Sequence, residues 1–296
     1  MHSKNIAEQK TTIKQALREG VIFLRDTSPT FGLDSEILLS EILKKNREYL
    51  FAHNDEAVSP TKIKKYHQWL TQRRKGTPIP YTIGHKYFLD HKFTVDKYVL
   101  IPRPETEALV EECIKIAQTY SKPPTIADIG TGSGVIAISI SLAIPNAKIV
   151  ATDKSSTALK IASRNAKKHR VAKRVTFFAS DLLNEIPKEL LPTIIVTNLP
   201  YVTSDELKHA GEKPDTFGLT FEPQGALDGG PDGLAVFRRF FAQISRFPQI
   251  QNNLQHLLLE HNPKQRRALW QIAHDFLPEF APHEITPFTS RWDRKK

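Results

Sequence analysis

Two short stretches of this chain hold residues whose types and spacing can do chemistry. The first is Asp128-Ile129-Gly130-Thr131-Gly132-Ser133-Gly134, which follows an apolar run from Thr125 and opens into another at Val135. Glycines at a strand-to-helix turn let the chain reverse tightly and let a ligand lie against bare backbone. A dinucleotide fingerprint needs its third glycine one position later, where Val135 stands, and a carboxylate at Asp128 would repel a pyrophosphate. The same carboxylate suits a cationic nucleoside, such as S-adenosylmethionine with its amino group and sulfonium. Asp153, ending the next apolar run, can accept hydrogen bonds from both ribose hydroxyls. Asp181 follows the third run and can receive an adenine amine, with Leu182 beside it against the ring. A glycine-rich turn of an ordinary α/β protein is the plain alternative. Asp128, Gly130, Gly132, Gly134 and Asp153 at successive strand ends weigh against it, and the early third glycine with Asp128 favours S-adenosylmethionine over a nicotinamide cofactor.

The second stretch is Asn198-Leu199-Pro200-Tyr201, at the end of the apolar run Thr193–Thr197. An Asn-Pro turn after a strand is common. Beside the glycine loop it reads differently, because the residues fit a planar sp² nitrogen. Such a nitrogen has its lone pair delocalised and is a poor nucleophile. Accepting hydrogen bonds from both its N–H groups would draw electron density onto it and hold it in line for methyl transfer. The Asn198 side-chain oxygen and the Leu199 carbonyl are the expected acceptors, Pro200 keeps Leu199 extended, and Tyr201 offers a flat aromatic face. Positioning and electrostatics would carry the rate without a general base. A metal is not expected: the 11 histidines are scattered singly, and Cys113 is the one cysteine.

These stretches need a scaffold, and the pattern around them supplies one. Strand-like runs at 125–129, 148–152, 175–179, 193–197 and 254–260 alternate with helical stretches at 106–120, 134–143 and 156–169, which predicts a mostly parallel, doubly wound sheet. Upstream, Ile6, Ile13, Leu17, Val21 and Leu24 recur at helical spacing, as do Leu33, Ile37, Leu38 and Ile42 after an Asp34 suited to a helix start. Ser59-Pro60 opens a third helix that Gly76-Thr77-Pro78-Ile79-Pro80 ends. Tyr87, Leu89, Phe93, Val95, Val99 and Ile101 alternate as in a hairpin. The expected organisation is a helical domain at 1–78, a hairpin linker at 79–101 and an α/β domain at 102–296.

Composition narrows the class. The 296 residues are 40% hydrophobic and 25% charged, which is globular rather than disordered. No uncharged apolar run approaches the roughly 20 residues of a membrane span. The first twenty residues read as an amphipathic helix and not a signal peptide, so a cytoplasmic protein without a membrane partner is expected. The net charge of +10 includes an acid-free stretch with Lys62, Lys64, Lys65, Arg73, Arg74, Lys75 and Lys86. A solvated face explains such a stretch. The charge also admits a nucleic-acid partner without requiring one.

Further stretches carry a family resemblance. They are Tyr81-Thr82-Ile83-Gly84, Pro102-Arg103-Pro104-Glu105-Thr106-Glu107, Glu222-Pro223 and Ala226–Leu234, together with Leu33–Leu39 and the two chemical motifs. From about residue 33 to 260 the chain resembles the HemK/PrmC family of peptide chain release factor glutamine methyltransferases. The resemblance implies a Rossmann-like class I S-adenosylmethionine-dependent domain behind a helical substrate-recognition domain. It further implies methylation of the glutamine amide in the Gly-Gly-Gln loop of class I release factors, by a monomer. The family's substrate tetrapeptide falls on Asn198, Leu199, Pro200 and Tyr201, and its cofactor positions on Gly130 to Gly134, Asp153, Leu182 and Asn198. Leu199 departs from the usual proline. Asn-Leu-Pro-Tyr also occurs in ribosomal RNA adenine dimethyltransferases, so an RNA or DNA adenine methyltransferase is the alternative, with a ribosomal-protein glutamine as another target and an idle nucleic-acid-binding module as a third reading. Against the RNA enzymes, the helical domain here precedes the α/β domain. The family's last motif is reduced to Arg291.

Overall fold

The computed structural model describes residues 11–212 and 216–295. Ile6 of the first expected helical stripe lies outside the described residues. The chain divides into two compact units, Met1–Gly84 with Ala210–Phe221, and His85–His209 with Glu222–Lys296.

The first unit holds helices α1 (Ile13–Leu24), α2 (Phe31–Leu43), α3 (Arg47–Ala52), α4 (Pro60–Arg74) and α5 (Ile79–Ile83). Thr12 starts α1 with a reciprocal cap: its hydroxyl accepts the Gln15 N–H, and the Gln15 side chain accepts the Thr12 N–H. Ile13, Ala16, Leu38, Leu39 and Tyr66 form the centre of the core. Gly20 is required there, because a Cβ on it would lie 2.1 Å from the Tyr66 hydroxyl. Asp34 does sit in the first turn of α2, and it is buried. It accepts from Ser28 Oγ at 2.6 Å, Thr30 Oγ1 at 3.0 Å and Arg73 Nε at 2.6 Å, tying α2 to α4. Two short helices escape the periodicity. α3 is too brief to show a stripe, and α5 starts at Ile79-Pro80, which reads as a stop although proline is at home in a first turn.

The second unit opens with an antiparallel hairpin of β1 (His85–Phe88) and β2 (His91–Thr94), turned through Leu89 and Asp90 at φ 44° and 60°. Then follow α6 (Glu105–Ala117), β3 (Thr125–Ile129), α7 (Val135–Ala143), β4 (Lys148–Asp153), α8 (Ser156–Lys168), β5 (Val175–Ala179), β6 (Ile194–Thr197), α9 (Ser204–Lys208), α10 (Ala235–Arg246), α11 (Pro248–Asn253), β7 (His256–Glu260), α12 (Arg266–Phe276), β8 (Phe280–Thr286) and β9 (Thr289–Arg294). The sheet order is β5-β4-β3-β6-β7-β9-β8. β5 through β7 run parallel, as the alternation predicts, and β9 and β8 close the edge antiparallel.

Both sheet faces are covered, which is why β6 reads as an apolar run and β3 as one interrupted only by Asp128. Leu109 and Val110 of α6 pack with Ile136 and Ile140 of α7 on one side. Phe237, Phe240 and Phe241 of α10 pack with Leu269 of α12 and Trp292 of β9 on the other. Asn165 of α8 locks the hairpin to this body: it bonds Thr94 N at 2.8 Å, Thr94 O at 3.0 Å and Ser133 O at 2.9 Å. Arg291 on β9 pairs with Asp293 at 2.9 Å and with the mostly buried Glu112 of α6, so the edge hairpin is anchored despite its reduced motif. Among the described residues, no helix is long and apolar enough to cross a membrane.

Candidate active site

The chain crosses from β3 to α7 by a loop in which Gly130, Gly132 and Gly134 take φ of 76°, 55° and 84°. Asp128 anchors it from behind. Its Oδ2 accepts from Thr131 Oγ1 at 2.6 Å and from the Ala137 N–H at 3.1 Å. Its Oδ1 is buried with no hydrogen-bond partner. Burial pushes this carboxyl up to about 7, against the two bonds that favour its charged form. At the end of β4, Asp153 faces the loop. Its Oδ2 accepts the Gly132 N–H at 2.9 Å and its Oδ1 accepts the Ser155 N–H at 2.8 Å. Burial again raises the carboxyl above its ordinary range.

A cleft of about 610 Å³ lies at the carboxyl ends of β3, β4 and β6, where open α/β sheets take ligands. Gly130, Gly132, Asp153, Asp181, Leu182, Asn198, Leu199 and Pro200 line it. Asp128, Thr131, Ser133, Gly134 and Tyr201 do not. Thr131 and Ser133 are buried and spent on Asp128 and Asn165. Gly134 is packed shut, since a Cβ there would meet Ile138 Cδ1 at 2.9 Å and Ala162 Cβ at 3.1 Å. A Cβ on Gly132 would meet nothing within 4 Å, so its backbone is open. Asp181 is ion-paired with Arg239, which also lines the cleft, and Leu182 holds φ 58°. Arg239 and the half-exposed Tyr98 of the cleft wall carry no motif and were not legible in the sequence. Bare glycine backbone at Gly130 and Gly132 and the Asp153 carboxylate at a strand end together suit an adenosyl group, while Asp128 supports the loop from behind.

The tetrapeptide starts where β6 ends, beside the glycine loop. Leu199 is buried, its Cδ2 lying 3.5 Å from where a Gly130 Cβ would stand. Asn198 turns its amide onto α6: Nδ2 donates to Thr106 Oγ1 at 3.1 Å. Thr106 Oγ1 donates in turn to Glu260 Oε2 at 2.5 Å, and the Tyr201 hydroxyl donates to Glu260 Oε1 at 2.9 Å. Asn198 Oδ1 takes no hydrogen bond among the described residues and is left to the cleft. Tyr201 is therefore held by its hydroxyl and packs with the α10 and α12 core, instead of lining the cleft with its ring. Burial raises the Glu260 carboxyl above its ordinary range, while the Thr106, Tyr201 and Asn198 side chains oppose the rise.

The remaining motif stretches act as supports, and Pro223, Ala226 and Asp228 also line the cleft. Arg103 donates to Glu222 Oε1 at 2.5 Å, and Glu222 Oε2 accepts the Ile101 N–H at 2.9 Å. The chain after Tyr201 pairs with Leu227 to Gly229: Val202 N donates to Leu227 O, and Gly229 N to Val202 O. Gln265 Nε2 bridges Tyr201 O at 2.9 Å and Asp232 O at 3.0 Å. Gly233 must be glycine there, because a Cβ would lie 2.4 Å from Tyr201 O. Glu260 and Gln265 carried no functional signal in the sequence, and Glu260 reads only as a strand end. Among the described residues no group of three or more His, Cys, Asp or Glu could hold a metal ion.

Comparison with known proteins agrees with this geometry. A family model described as the PrmC N-terminal domain matches residues 15–84, and one described as the methyltransferase small domain matches 106–212. A release factor glutamine methyltransferase of Coxiella burnetii is 36% identical over 270 residues, covering 91% of this chain and 88% of its own. One from Moorella thermoacetica is 38% identical over 231 residues, covering 77% and 78%. Among solved structures, the hMettl16 catalytic domain, crystallised with a MAT2A 3'UTR hairpin, aligns with a TM-score of 0.54 at 11% identity, over 80% of this chain and 82% of that one. That likeness concerns the fold alone.

Proposed function

This chain belongs to the release factor glutamine methyltransferase family, and from that premise we propose how its residues divide the work. The enzyme methylates the side-chain amide nitrogen of a release factor glutamine, with S-adenosylmethionine as donor. The cofactor, when bound, supplies a methyl group made electrophilic by a sulfonium. Gly130, Gly132 and Asp153 would hold its nucleoside, with Asp153 on the ribose and Asp181 and Leu182 at the adenine. Asp128, Thr131, Ser133 and Gly134 shape the loop that does so. Residues 1–78 would recognise the release factor, 79–101 link, and 102–296 transfer the methyl group. The protein would act as a cytoplasmic monomer, its surplus positive charge available to nucleic acid but not needed for transfer.

One observation carries the assignment of the tetrapeptide. With Nδ2 committed to Thr106, Asn198 presents Oδ1 to the cleft. An oxygen there can accept one N–H of the target amide, and the Leu199 carbonyl the other. Both acceptors grow stronger partners as nitrogen attacks and becomes positive, so they favour the transition state over the ground state. Once methylated, the nitrogen would release its extra proton to water, so Asn198 and Leu199 need only hold and orient the amide.

The experiment is a methyl-transfer assay with labelled S-adenosylmethionine and a purified class I release factor. Asn198→Ala should lower kcat roughly a hundredfold, about 3 kcal/mol, while cofactor affinity stays within a few-fold. A rate within a few-fold of wild type in a folded variant would overturn the amide-gripping role. Label entering ribosomal RNA, and not the release factor, would overturn the substrate.

A further inference from the structure

We propose that Glu260 and Thr106 are positioning residues that set which end of the Asn198 amide faces the substrate. The inference rests on the reading of Asn198 Oδ1 as an acceptor and goes one step behind it. Glu260 is buried at the end of β7, with one oxygen on each of two hydroxyls. Both of its oxygens accept, one from Thr106 Oγ1 and one from the Tyr201 hydroxyl. Thr106 must therefore spend its single proton on Glu260 Oε2, which leaves its lone pairs to accept from Asn198. That acceptor can be met only by the Nδ2 end of the amide. The direction of the whole chain, Asn198 to Thr106 to Glu260, follows from the one group in it that accepts at both of its oxygens.

The consequence reaches the reaction. Were Thr106 free to donate forward, Asn198 could turn over and present its NH2 to the cleft. Two N–H donors would then face the N–H groups of the substrate amide, and the nitrogen would be repelled instead of gripped. The accepting carboxyl at the far end also polarises the relay, because each bond in a chain strengthens the next. Asn198 Oδ1 becomes a better acceptor when its own N–H is drawn toward a carboxylate. Tyr201 completes the arrangement from the other side, occupying Glu260 Oε1 so that the carboxylate is held in place. Neither Thr106 nor Glu260 lines the cleft, so neither is expected to touch substrate or cofactor.

Four proteins test this: Thr106→Val, Thr106→Ser, Glu260→Gln and the double variant Glu260→Gln with Thr106→Val. Each is assayed with labelled S-adenosylmethionine and a class I release factor, and its cofactor Kd is measured separately. Thr106→Val should lower kcat by roughly ten- to a hundredfold, with the release factor KM and cofactor Kd within about threefold. Thr106→Ser, which keeps the hydroxyl, should restore kcat to within about threefold. The double variant should be no slower than the slower single one, since both break the same relay. A Thr106→Val enzyme at wild-type kcat overturns the proposal, as do multiplying losses in the double variant. A fall in cofactor affinity that matches the fall in rate also overturns it, since the role would then be structural. Asn198→Ala in the same assay separates the two levels. If it stays fast, the gripping role itself fails, whereas a slow Asn198→Ala beside a fast Thr106→Val removes only the relay.

Discussion

The Gly132 N–H donates to Asp153 Oδ2 across 2.9 Å, so the carboxylate at the end of β4 is fixed by the same loop whose bare backbone opens onto the cleft. The Ser155 N–H holds the other oxygen at 2.8 Å, leaving each oxygen further lone pairs for a ligand. Asp153→Ala removes those acceptors and the clasp on the loop together. Hydrogen bonds to charged groups contribute about 1.5–3 kcal/mol each, so the Kd for S-adenosylmethionine should rise at least roughly tenfold for each bond lost, by calorimetric titration. A Kd within threefold of wild type would reject the ribose role.

Two glycines of that loop should fail in different ways. Gly134 has φ 84° and its missing Cβ would press on Ile138 and Ala162, so Gly134→Ala adds strain to a clash in the core. Its cost should be about 2–4 kcal/mol in denaturant unfolding. Gly132 has φ 55° and open space, so Gly132→Ala should lose only about 1–2 kcal/mol from conformation. The methyl group instead enters the cleft, and the measurable loss should be in cofactor affinity. Equal stability losses for both would contradict the open geometry of Gly132.

Leu199→Pro is the exchange that restores the family's usual tetrapeptide. The backbone carbonyl survives it, so from sequence alone the change reads as harmless. The structure adds a cost, because Leu199 is 2% exposed and sits in the core beside Gly130. Trading it for the smaller proline ring leaves a gap worth roughly 1–3 kcal/mol. Thermal unfolding should report a lowered Tm, while kcat for the folded enzyme stays within a few-fold. A large fall in kcat at unchanged Tm would show that the leucine side chain itself serves the reaction.

What the sequence revealed depended on how local the signal was. The glycine loop, Asp153 and Asn198–Tyr201 were legible because each is a contiguous run at a strand end, with the chemistry written in neighbouring residues. The parallel strands β3 to β7 were legible because both sheet faces are buried. Glu260 was not: its partners Thr106 and Tyr201 come from α6 and the loop after β6, and only the fold gathers them. Tyr201 was assigned by its ring, whereas its hydroxyl is what the structure uses. Asp128 was read as facing the ligand, yet its bonds to Thr131 and Ala137 turn it toward the back of the loop. The helices α10 and α12 lack a chemical motif, and α5 was hidden because its proline looks like a stop.

Asp128 gives a prediction whose sign follows from its burial. A free aspartate titrates near 3.8, and burial pushes this carboxyl up to about 7 in the folded chain. Between those values the folded protein holds a proton that the unfolded chain has released. Stability from this group is thus fully present below pH 3.8 and is lost as pH rises through about 7, with nothing further lost above. Carboxylates held below their usual range, such as Asp293 against His256 and Arg291, act in the opposite sense, so the wild-type profile alone is a mixture. Asp128→Asn isolates this carboxyl's contribution, because the amide oxygen can still accept from Thr131 and Ala137 but no longer titrates. Denaturant unfolding of both proteins at pH 5 and pH 8 should show wild type gaining on the variant by roughly 2–4 kcal/mol at the lower pH. If the difference between the two proteins were the same at both pH values, Asp128 would be ionised throughout. The unpartnered Oδ1 would then have to be stabilised by something other than a proton.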